Sequence, residues 1–190
     1  MLLKSGQAAP VFIMNDLHGR SIALTDYQHQ RVFLSFLRFA GCPFCGLRTY
    51  ELSLRYPEFR HFQVAVIGVV ESSPELARKH PNLLDAPFPI IADPQSHLYQ
   101  QYQARSRRWG LSRTLRRRDA EFHDAERRGF VDLVNGGPRD GDGNLYRLPA
   151  EFLIGPTQRI ERVHYGRDIG DFLPLDTVLQ WVGVRDLLSA

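Results

Sequence analysis

Apolar residues first alternate with polar ones and then gather into short continuous runs. Near the N-terminus, Val11 to Ile13 and Ser21 to Leu24 flank a polar turn segment, a pattern that predicts a β-hairpin. Three later runs have the length and the apolar character of strands in the middle of a sheet. They are RVFLSFLRF from Arg31, QVAVIGVV from Gln63 and FPIIADP from Phe88.

Helical signals follow these runs. The spacing of apolar residues predicts a helix from Pro43 to Tyr56, and Pro57 ends it because the residue before a proline avoids the helical conformation. Ser73 and Pro74 are typical of the cap and the first position of a second helix. A last helix is predicted from Pro174.

The order of the elements predicts an α/β protein. Two more strands, EFLIG from Glu151 and RIERVHY from Arg159, follow each other before the last helix. Strands that alternate with helices and then run in succession favour a central mixed β-sheet flanked by helices. The 190 residues suffice for one well-buried core but are few for two, so we expect a single domain over residues 1–190.

An arginine-rich stretch interrupts this pattern. Residues 104–128 contain nine arginines and four acids, and they predict one or two amphipathic helices with Trp109 and Phe122 as packing residues. A loop rich in glycine and aspartate follows at residues 135–144. The acids dilute the positive field that nucleic-acid binding requires, so we expect no nucleic-acid partner. A lid, a docking surface and a phosphate-binding surface stay open as roles.

Composition excludes several classes of protein. With 43% hydrophobic and 24% charged residues, the chain is typical of a soluble globular protein. No stretch reaches the roughly 18 consecutive apolar residues of a membrane span, and the N-terminus lacks the apolar segment of a secretory signal. Two cysteines are too few for a disulfide framework, which favours a cytoplasmic location, where CxxC is more often catalytic or metal-binding.

Both cysteines lie in FAGCPFCGL, at the junction of a predicted strand and a predicted helix. Gly41 permits a sharp turn, Cys42 falls at the helix cap and Pro43 in the first turn. Cys45 lies one turn further, about 5 to 6 Å away between Cβ atoms, which is close enough for a disulfide. A helix N-terminus favours the thiolate, so Cys42, expected to be the more exposed, is the predicted attacking thiol and Cys45 the resolving thiol.

Two other interpretations of the cysteine pair stay open. A structural zinc site needs two further Cys or His ligands, and the sequence has no second CxxC and no histidine pair beside the motif. We therefore expect no metal, and no cofactor is implied. Buried cysteines with no chemistry are the second alternative, since free cysteine is often buried.

Several segments resemble one family. GQAAPVFIMNDLHGRSIALTDY is similar to the N-terminal hairpin of the peroxiredoxins (AhpC/TSA type) of the thioredoxin superfamily, and FPIIADPQSHLYQQY and EFLIGPTQRIERVHYGRD are similar to later segments. The FAGCPFC context resembles a peroxiredoxin-like branch that carries CxxC. The resemblance implies a thioredoxin-like fold with a helical insertion at about residues 103–146. It also implies a thiol-dependent oxidoreductase with antioxidant activity.

The resemblance also implies site residues and partners. Cys42 and Cys45 match the redox cysteines, and Pro149 matches the proline that follows a cis peptide bond in thioredoxin folds. The implied substrate-binding residues are Leu148, Pro149, Phe44 and Arg48. The implied partners are a hydroperoxide or disulfide substrate, an external thiol reductant such as thioredoxin or glutathione, and a second copy of the chain in a homodimer.

The chain departs from the family pattern in two places. Counted back from Cys42, this chain has Ser35 where the family motif P-x-x-x-T-x-x-C has proline, and Phe39 where the motif has threonine. Pro149 stands where the family has a peroxide-binding arginine. Three arginines are near enough in sequence to substitute for it, although a surface charge is the more common role for each: Arg38, Arg48 and Arg147.

Two other functions therefore stay open. The sequence CPFC is close to the CPYC of glutaredoxins, which favours a glutaredoxin-like or thioredoxin-like disulfide reductase as the alternative enzyme. A binding or regulatory module that kept the fold, with the arginine-rich insertion as its working surface, is the non-enzymatic alternative.

Overall fold

The computed structural model describes residues 2–107, 117–130 and 143–188. Its strands are β1 (Ile13–Asn15), β2 (Ser21–Ala23), β3 (Arg31–Phe36), β4 (Val64–Val70), β5 (Ile90–Ala92), β6 (Ala150–Ile154) and β7 (Ile160–Tyr165). Its α-helices are α1 (Pro43–His61), α2 (Pro74–Ala77), α3 (Pro81–Leu84), α4 (His97–Gln101), α5 (Asp119–Arg127) and α6 (Leu175–Leu188). A single turn of 3₁₀ helix covers Leu24–Tyr27.

Five strands form the central sheet in the order β5-β4-β3-β6-β7. The three strands β3, β4 and β5 are parallel, whereas β6 and β7 run antiparallel to their neighbours. Strands β1 and β2 pair separately as an antiparallel hairpin. The predicted α/β class, the mixed sheet and the N-terminal hairpin are thereby confirmed.

Strand β3 is apolar throughout because both of its faces are covered. Phe33 points to one side, where its ring stacks on Phe59 of α1 at 5.6 Å between centroids. Phe36 points to the other side, where Tyr99 of α4 meets it edge-on at 5.1 Å. The strand that leads into the CxxC motif is therefore fixed from both sides before the chain turns into α1.

Helix α1 is longer than the sequence predicts. It runs to His61 with Pro57 inside it, so the predicted end at Tyr56 is wrong. A proline in a helix interior removes one backbone hydrogen bond and costs about 3 kcal/mol. Phe59, in the turn beyond the proline, is fully buried against Phe33. The packing of this ring outweighs the local cost and keeps the helix continuous.

Three short helices, α2, α3 and α4, follow strands β4 and β5. The Ser73 hydroxyl accepts a hydrogen bond from the Leu76 amide, as the predicted cap requires. The helix that Ser73 caps, α2, is only one turn long, and a second short helix, α3, begins at Pro81. Asp93, just after β5, caps α4 by accepting from the amides of His97 and Leu98 at 2.9 and 2.8 Å.

The described part of the arginine-rich stretch contains one helix, α5. Helix α5 begins after Arg118, which bonds Asp168 in the loop before α6 at 2.7 Å, and ends before Arg128, which bonds Asp124 of the helix at 2.9 Å. Phe122 packs against the core. Trp109 and residues 131–142 of the glycine-rich region lie outside the described residues. Among the helices of the described ranges, none has both the length and the apolar character that crossing a bilayer requires.

Candidate active site

The CxxC motif lies between the end of β3 and the start of α1. Cys42 is the N-cap residue of α1, with extended backbone angles, and Pro43 occupies the first helical turn. The Cys42 carbonyl accepts from the Gly46 amide at 2.9 Å, so the helix starts at this residue. Cys45 lies within the first turn, and both cysteines are free thiols in this structure. The predicted placement of the pair at a helix start agrees with this geometry.

Both sulfurs lie inside the protein. Cys42 is 0% exposed and Cys45 is 1% exposed, so the expectation that Cys42 is the more accessible thiol is wrong. The two cysteines belong to a buried cluster that includes Phe39, Phe44 and Leu148. Leu148 comes from the segment that precedes β6, which the sequence places more than a hundred residues away. This tertiary cover, absent from local sequence patterns, buries the helix start.

Arg38 binds both cysteines. Its Nη1 donates to the Cys42 sulfur at 3.1 Å, and its backbone amide donates to the Cys45 sulfur at 3.1 Å. The rest of the guanidinium is held by backbone carbonyls, with Nε donating to Arg147 at 2.9 Å and Nη2 donating to Leu145. Arg38 is only 2% exposed, so its interpretation as a surface charge is wrong.

The pKa values of the two thiols shift in opposite directions. Burial by itself raises the pKa of Cys42, but a hydrogen bond from the Cys45 thiol and the positive charge of Arg38 outweigh it and lower the pKa to about 6. Burial raises the pKa of Cys45, and the neighbouring Cys42 raises it further. These shifts favour the thiolate on Cys42 and the thiol on Cys45.

Arg48 is buried one helical turn beyond Cys45. Its Nε and Nη2 donate to the Glu151 carboxylate at 2.8 and 2.6 Å, and it is 2% exposed. The same carboxylate accepts from the Ser35 hydroxyl at 3.0 Å and from the Leu173 amide at 2.7 Å. Arg48 is thus not a surface charge either, and Ser35, which replaces the family's proline, has a partner of its own.

Arg147 is the third buried arginine. Its Nε donates to Glu71 at 2.7 Å, its Nη1 donates to the Ala104 carbonyl at 2.9 Å, and its guanidinium lies 4.7 Å from the centre of the Tyr99 ring. Its side chain points away from the cysteines while its carbonyl faces Arg38. Of the three candidate arginines, only Arg38 donates a hydrogen bond to a cysteine sulfur in the described structure.

The backbone before β6 differs from the expectation. No described peptide bond is cis, so the predicted cis bond before Pro149 is wrong. The Leu148 amide donates to the Arg105 carbonyl, and Arg107 donates to the Tyr146 carbonyl, both at 2.8 Å. This antiparallel pairing keeps the chain extended up to the proline, which is the conformation that a residue before a trans proline prefers. The Leu148 N–H is therefore occupied within the chain.

A pocket of about 420 Å³ opens beside the motif, between α1, α5 and the loop before α6. Phe44 and Arg48 both line it, next to apolar Leu47 and Phe172. The ion pair of Arg118 with Asp168 ties α5 to the loop on the other side. Two of the predicted substrate-binding residues, Phe44 and Arg48, thus share one cavity wall.

The profile of the AhpC/TSA family matches residues 5–163. The chain belongs to the AhpC/TSA family. Two curated relatives are similar over about half of the chain. They are thiol-disulfide oxidoreductase ResA of Geobacillus thermodenitrificans, 32% identical over 98 residues (51% of this chain, 56% of the relative), and peroxiredoxin Bcp of Escherichia coli, 29% identical over 100 residues (53% and 64%). The matches span less than two thirds of these relatives.

Solved structures with the same fold cover nearly the whole chain of this AhpC/TSA protein. Peroxidoxin BcpB from Mycobacterium tuberculosis aligns with a TM-score of 0.68 at 16% identity, covering 96% of this chain and 97% of its own. A cysteine-to-serine mutant of Xylella fastidiosa PrxQ aligns with a TM-score of 0.66 at 17% identity, covering 98% and 99%. These likenesses show that the predicted thioredoxin-like fold is correct.

Two residues of this AhpC/TSA site are not indicated by the sequence. Glu71 and Glu151 are buried carboxylates, 4% and 0% exposed, and each pairs with a buried arginine. Both stand at the ends of predicted strands, where a polar residue is common, so only the tertiary structure reveals them. Within the described ranges, no group of three His, Cys, Asp or Glu side chains is placed to hold a metal ion.

Proposed function

We propose that this protein is a thiol peroxidase in which Cys42 attacks a hydroperoxide and Cys45 resolves the product. The observation that carries the proposal is the hydrogen bond from Arg38 Nη1 to the Cys42 sulfur at 3.1 Å. The bond supplies a positive charge at the sulfur, in place of the threonine and arginine of the usual family motif. Membership of the AhpC/TSA family and the similarity to peroxiredoxin Bcp support the same chemistry.

The proposed reaction has two steps on the protein. The Cys42 thiolate attacks the terminal peroxide oxygen, the O–O bond breaks, and the alcohol or water leaves after taking up a proton, so that Cys42 becomes a sulfenic acid. The Cys45 sulfur then attacks the Cys42 sulfur, water leaves, and a disulfide forms. Arg38 stabilises negative charge as it moves from the sulfur to the departing oxygen.

The burial of the pair favours a small oxidant. Cys42 is fully buried, so a hydroperoxide group reaches its sulfur with less rearrangement than a disulfide on the surface of another protein requires. We propose the pocket lined by Phe44 and Arg48 as the approach for the substrate's remaining atoms. Leu148 and Pro149 stay predicted contacts of the substrate.

An external dithiol or thiol completes the proposed cycle by reducing the Cys42–Cys45 disulfide. Thioredoxin and glutathione are the proposed classes of reductant, and a cytoplasmic location, where such thiols are kept reduced, belongs to the same proposal. A single domain, a homodimer and the absence of a nucleic-acid partner stay predictions.

The test is peroxide consumption with a thioredoxin system as reductant. We expect the Cys42→Ser variant to be more than about a hundredfold slower than the parent, because the substitution removes the sulfur that Arg38 Nη1 contacts. The Cys45→Ser variant is expected to consume about one equivalent of peroxide and then stop with a sulfenic acid that a dimedone probe detects. A Cys42→Ser variant as fast as the parent would rule out the proposal.

A disulfide reductase is the second candidate, and the CxxC spacing at a helix start favours it together with the similarity to ResA. Turnover of cumene hydroperoxide compared with turnover of a mixed glutathione disulfide separates the two activities. A faster rate with the mixed disulfide would favour the reductase. Failure of the cysteines to form a disulfide with any mild oxidant would favour the binding module instead.

A further inference from the structure

We infer that Glu71 and Arg147 are positioning residues that hold the Arg38 guanidinium against the Cys42 sulfur. The inference rests on the proposed function, since it concerns the same thiolate. Neither residue bonds a cysteine in the described structure. Both act on Arg38 through a closed ring of hydrogen bonds that joins three distant parts of the chain.

The ring has three members. The Glu71 amide donates to the Arg38 carbonyl at 2.8 Å. The Glu71 carboxylate accepts from Arg147 Nε at 2.7 Å and from Arg147 Nη2 at 2.5 Å. The Arg147 carbonyl accepts from Arg38 Nε at 2.9 Å. Each member thus touches the other two, and the Cys42 sulfur bonds the outer side of the ring through Arg38 Nη1.

The ring is anchored inside the protein. Arg147 Nη1 donates to the Ala104 carbonyl at 2.9 Å, and the guanidinium lies over the Tyr99 ring. The Tyr99 hydroxyl donates to the Leu37 carbonyl at 2.8 Å, one residue before Arg38. The Ser96 hydroxyl donates to the Glu71 carboxylate. A buried bidentate arginine–carboxylate pair is rigid, so these contacts leave the Arg147 carbonyl little freedom.

The ion pair of Glu71 and Arg147 fixes the position of the segment 145–147. Its Leu145 and Arg147 carbonyls are the two backbone acceptors of the Arg38 guanidinium. The segment joins the sheet region through Arg147 and Glu71, and it pairs with residues 105–107 on its other side. If the Glu71 charge is removed, the Arg147 guanidinium is left buried without its counter-charge, and the segment has to move to relieve it. Arg38 then loses its two carbonyl acceptors, and its guanidinium is no longer held in hydrogen-bond contact with the Cys42 sulfur.

Charge balance points to the same arrangement. Within the described residues, Arg38 has no carboxylate partner, so the Cys42 thiolate is its counter-charge. Arg147 has Glu71 as its own partner at 2.5 Å. The two buried cations therefore have separate anions, and Glu71 leaves the charge of Arg38 free for the thiolate.

The test is the rate of iodoacetamide alkylation of Cys42 against pH in Glu71→Gln, with Cys45→Ser as the common background so that one thiol is followed. We expect the midpoint of the profile to move upward by about one pH unit, since Arg38 no longer favours the thiolate as strongly. A purely electrostatic role of Glu71 predicts the opposite sign, because removing a negative charge favours an anion nearby. A midpoint that falls or stays unchanged overturns the inference.

Glu151→Gln is the matched control, since it removes an equally buried carboxylate from a buried arginine that does not contact Arg38. We expect it to lower the unfolding midpoint in urea but to leave the alkylation profile where it is. An upward shift in this control equal to that of Glu71→Gln would overturn the inference, because any buried-pair defect would then suffice. Arg147→Lys, which keeps the charge but loses the bidentate pair, is the second test variant if Glu71→Gln does not fold, and the same upward shift is expected of it.

Arg38→Met tests whether Glu71 acts on Cys42 through Arg38. In this background we expect Glu71→Gln to have no further effect on the alkylation profile, because the residue through which it acts is gone. A full additional shift would overturn the positioning role. If the parent protein shows no peroxide turnover while Glu71→Gln still moves the profile, the proposed function fails and the positioning role stands.

Discussion

Arg38 reaches the Cys42 sulfur from only four residues upstream, yet its guanidinium is oriented mainly by distant parts of the chain. The acceptors that orient its guanidinium, the Leu145 and Arg147 carbonyls, come from the segment before β6. The arginine also packs against the Phe39 ring, 5.0 Å from its centre, and Phe39 stands in place of the family's threonine. Under the proposed function, a charge supplied from the strand end takes the role that the usual motif assigns to other positions.

The acidity of the Cys42 thiol can be tested directly. The Cys42 thiolate is favoured by the Cys45 hydrogen bond and by Arg38, which lower its pKa to about 6. We expect the iodoacetamide rate of the Cys42 thiol to rise with pH and to level off above about pH 7, well before an ordinary thiol does. In Arg38→Met the rise should move upward by one pH unit or more, to about pH 7 or above.

The measurement is alkylation of Cys42 between pH 5 and pH 9, at roughly half-unit steps across the ordinary thiol range, followed by mass spectrometry. Arg48→Met serves as the control, because that arginine pairs with Glu151 rather than with a sulfur. A parent profile with its midpoint at the ordinary thiol value would contradict the assignment of Arg38 to the thiolate.

The sequence predicts the residues of this site better than their surroundings. Cys42 and Cys45 stand at a helix start because Gly, Pro and Cys have local preferences that sequence reveals. Their burial and the role of Arg38 depend on contacts across more than a hundred residues, which no local pattern encodes. The position of Glu71 at a strand end likewise has no signal until Arg147 is placed beside it.

In helix α1, too, one feature follows from local sequence and another from tertiary packing. Its start at Cys42 is set by local chemistry and is predicted correctly, whereas its end is set by the packing of Phe59 on Phe33 and is not. The strands β3 and β4 are predicted because burial on both faces makes their whole sequence apolar. Their neighbours in the sheet depend on topology, which the family resemblance supplied.

Pro57 offers a test of this balance. It is exposed and lies inside α1, so it removes a backbone hydrogen bond without contributing buried surface. We expect Pro57→Ala to raise the free energy of unfolding by about 1 to 2 kcal/mol, since the restored helix is favoured by more than the entropy that the proline removes from the unfolded chain. Urea unfolding followed by circular dichroism measures it.

Phe59→Ala is the contrasting variant for the same helix, with an expected loss of about 3 to 5 kcal/mol because it empties a fully buried site. An unchanged or lower stability in Pro57→Ala would mean that the proline is matched to its place, and that the helix does not bear a cost there.

At the scale of the whole molecule, the thiolate couples stability to pH and to oxidation. The folded protein lowers the pKa of Cys42 from the ordinary value of 9.0 to about 6, so folding favours the ionised form. A group whose pKa is lowered on folding contributes stability that is fully present above its unfolded pKa and is lost as the pH falls through its folded pKa. Cys45, whose pKa is raised, stays a thiol throughout this window.

We therefore expect the reduced protein to become more stable as the pH rises from about 6 to about 9, by about 1 to 3 kcal/mol. Urea unfolding at several pH values in this range, with a reductant present, measures the slope. The Cys42→Ser variant lacks the thiolate and should lose that part of the slope, while the titrating groups that do not contact Cys42 contribute equally to both proteins. The disulfide form should lack this part of the slope too, because oxidation removes the negative charge that pairs with Arg38. The stability of the reduced form relative to that of the oxidised form should therefore increase as the pH rises. A slope that is the same in all three proteins would show that the Cys42 charge is not stabilised by the fold, and the peroxidase proposal would lose the anion on which its first step depends.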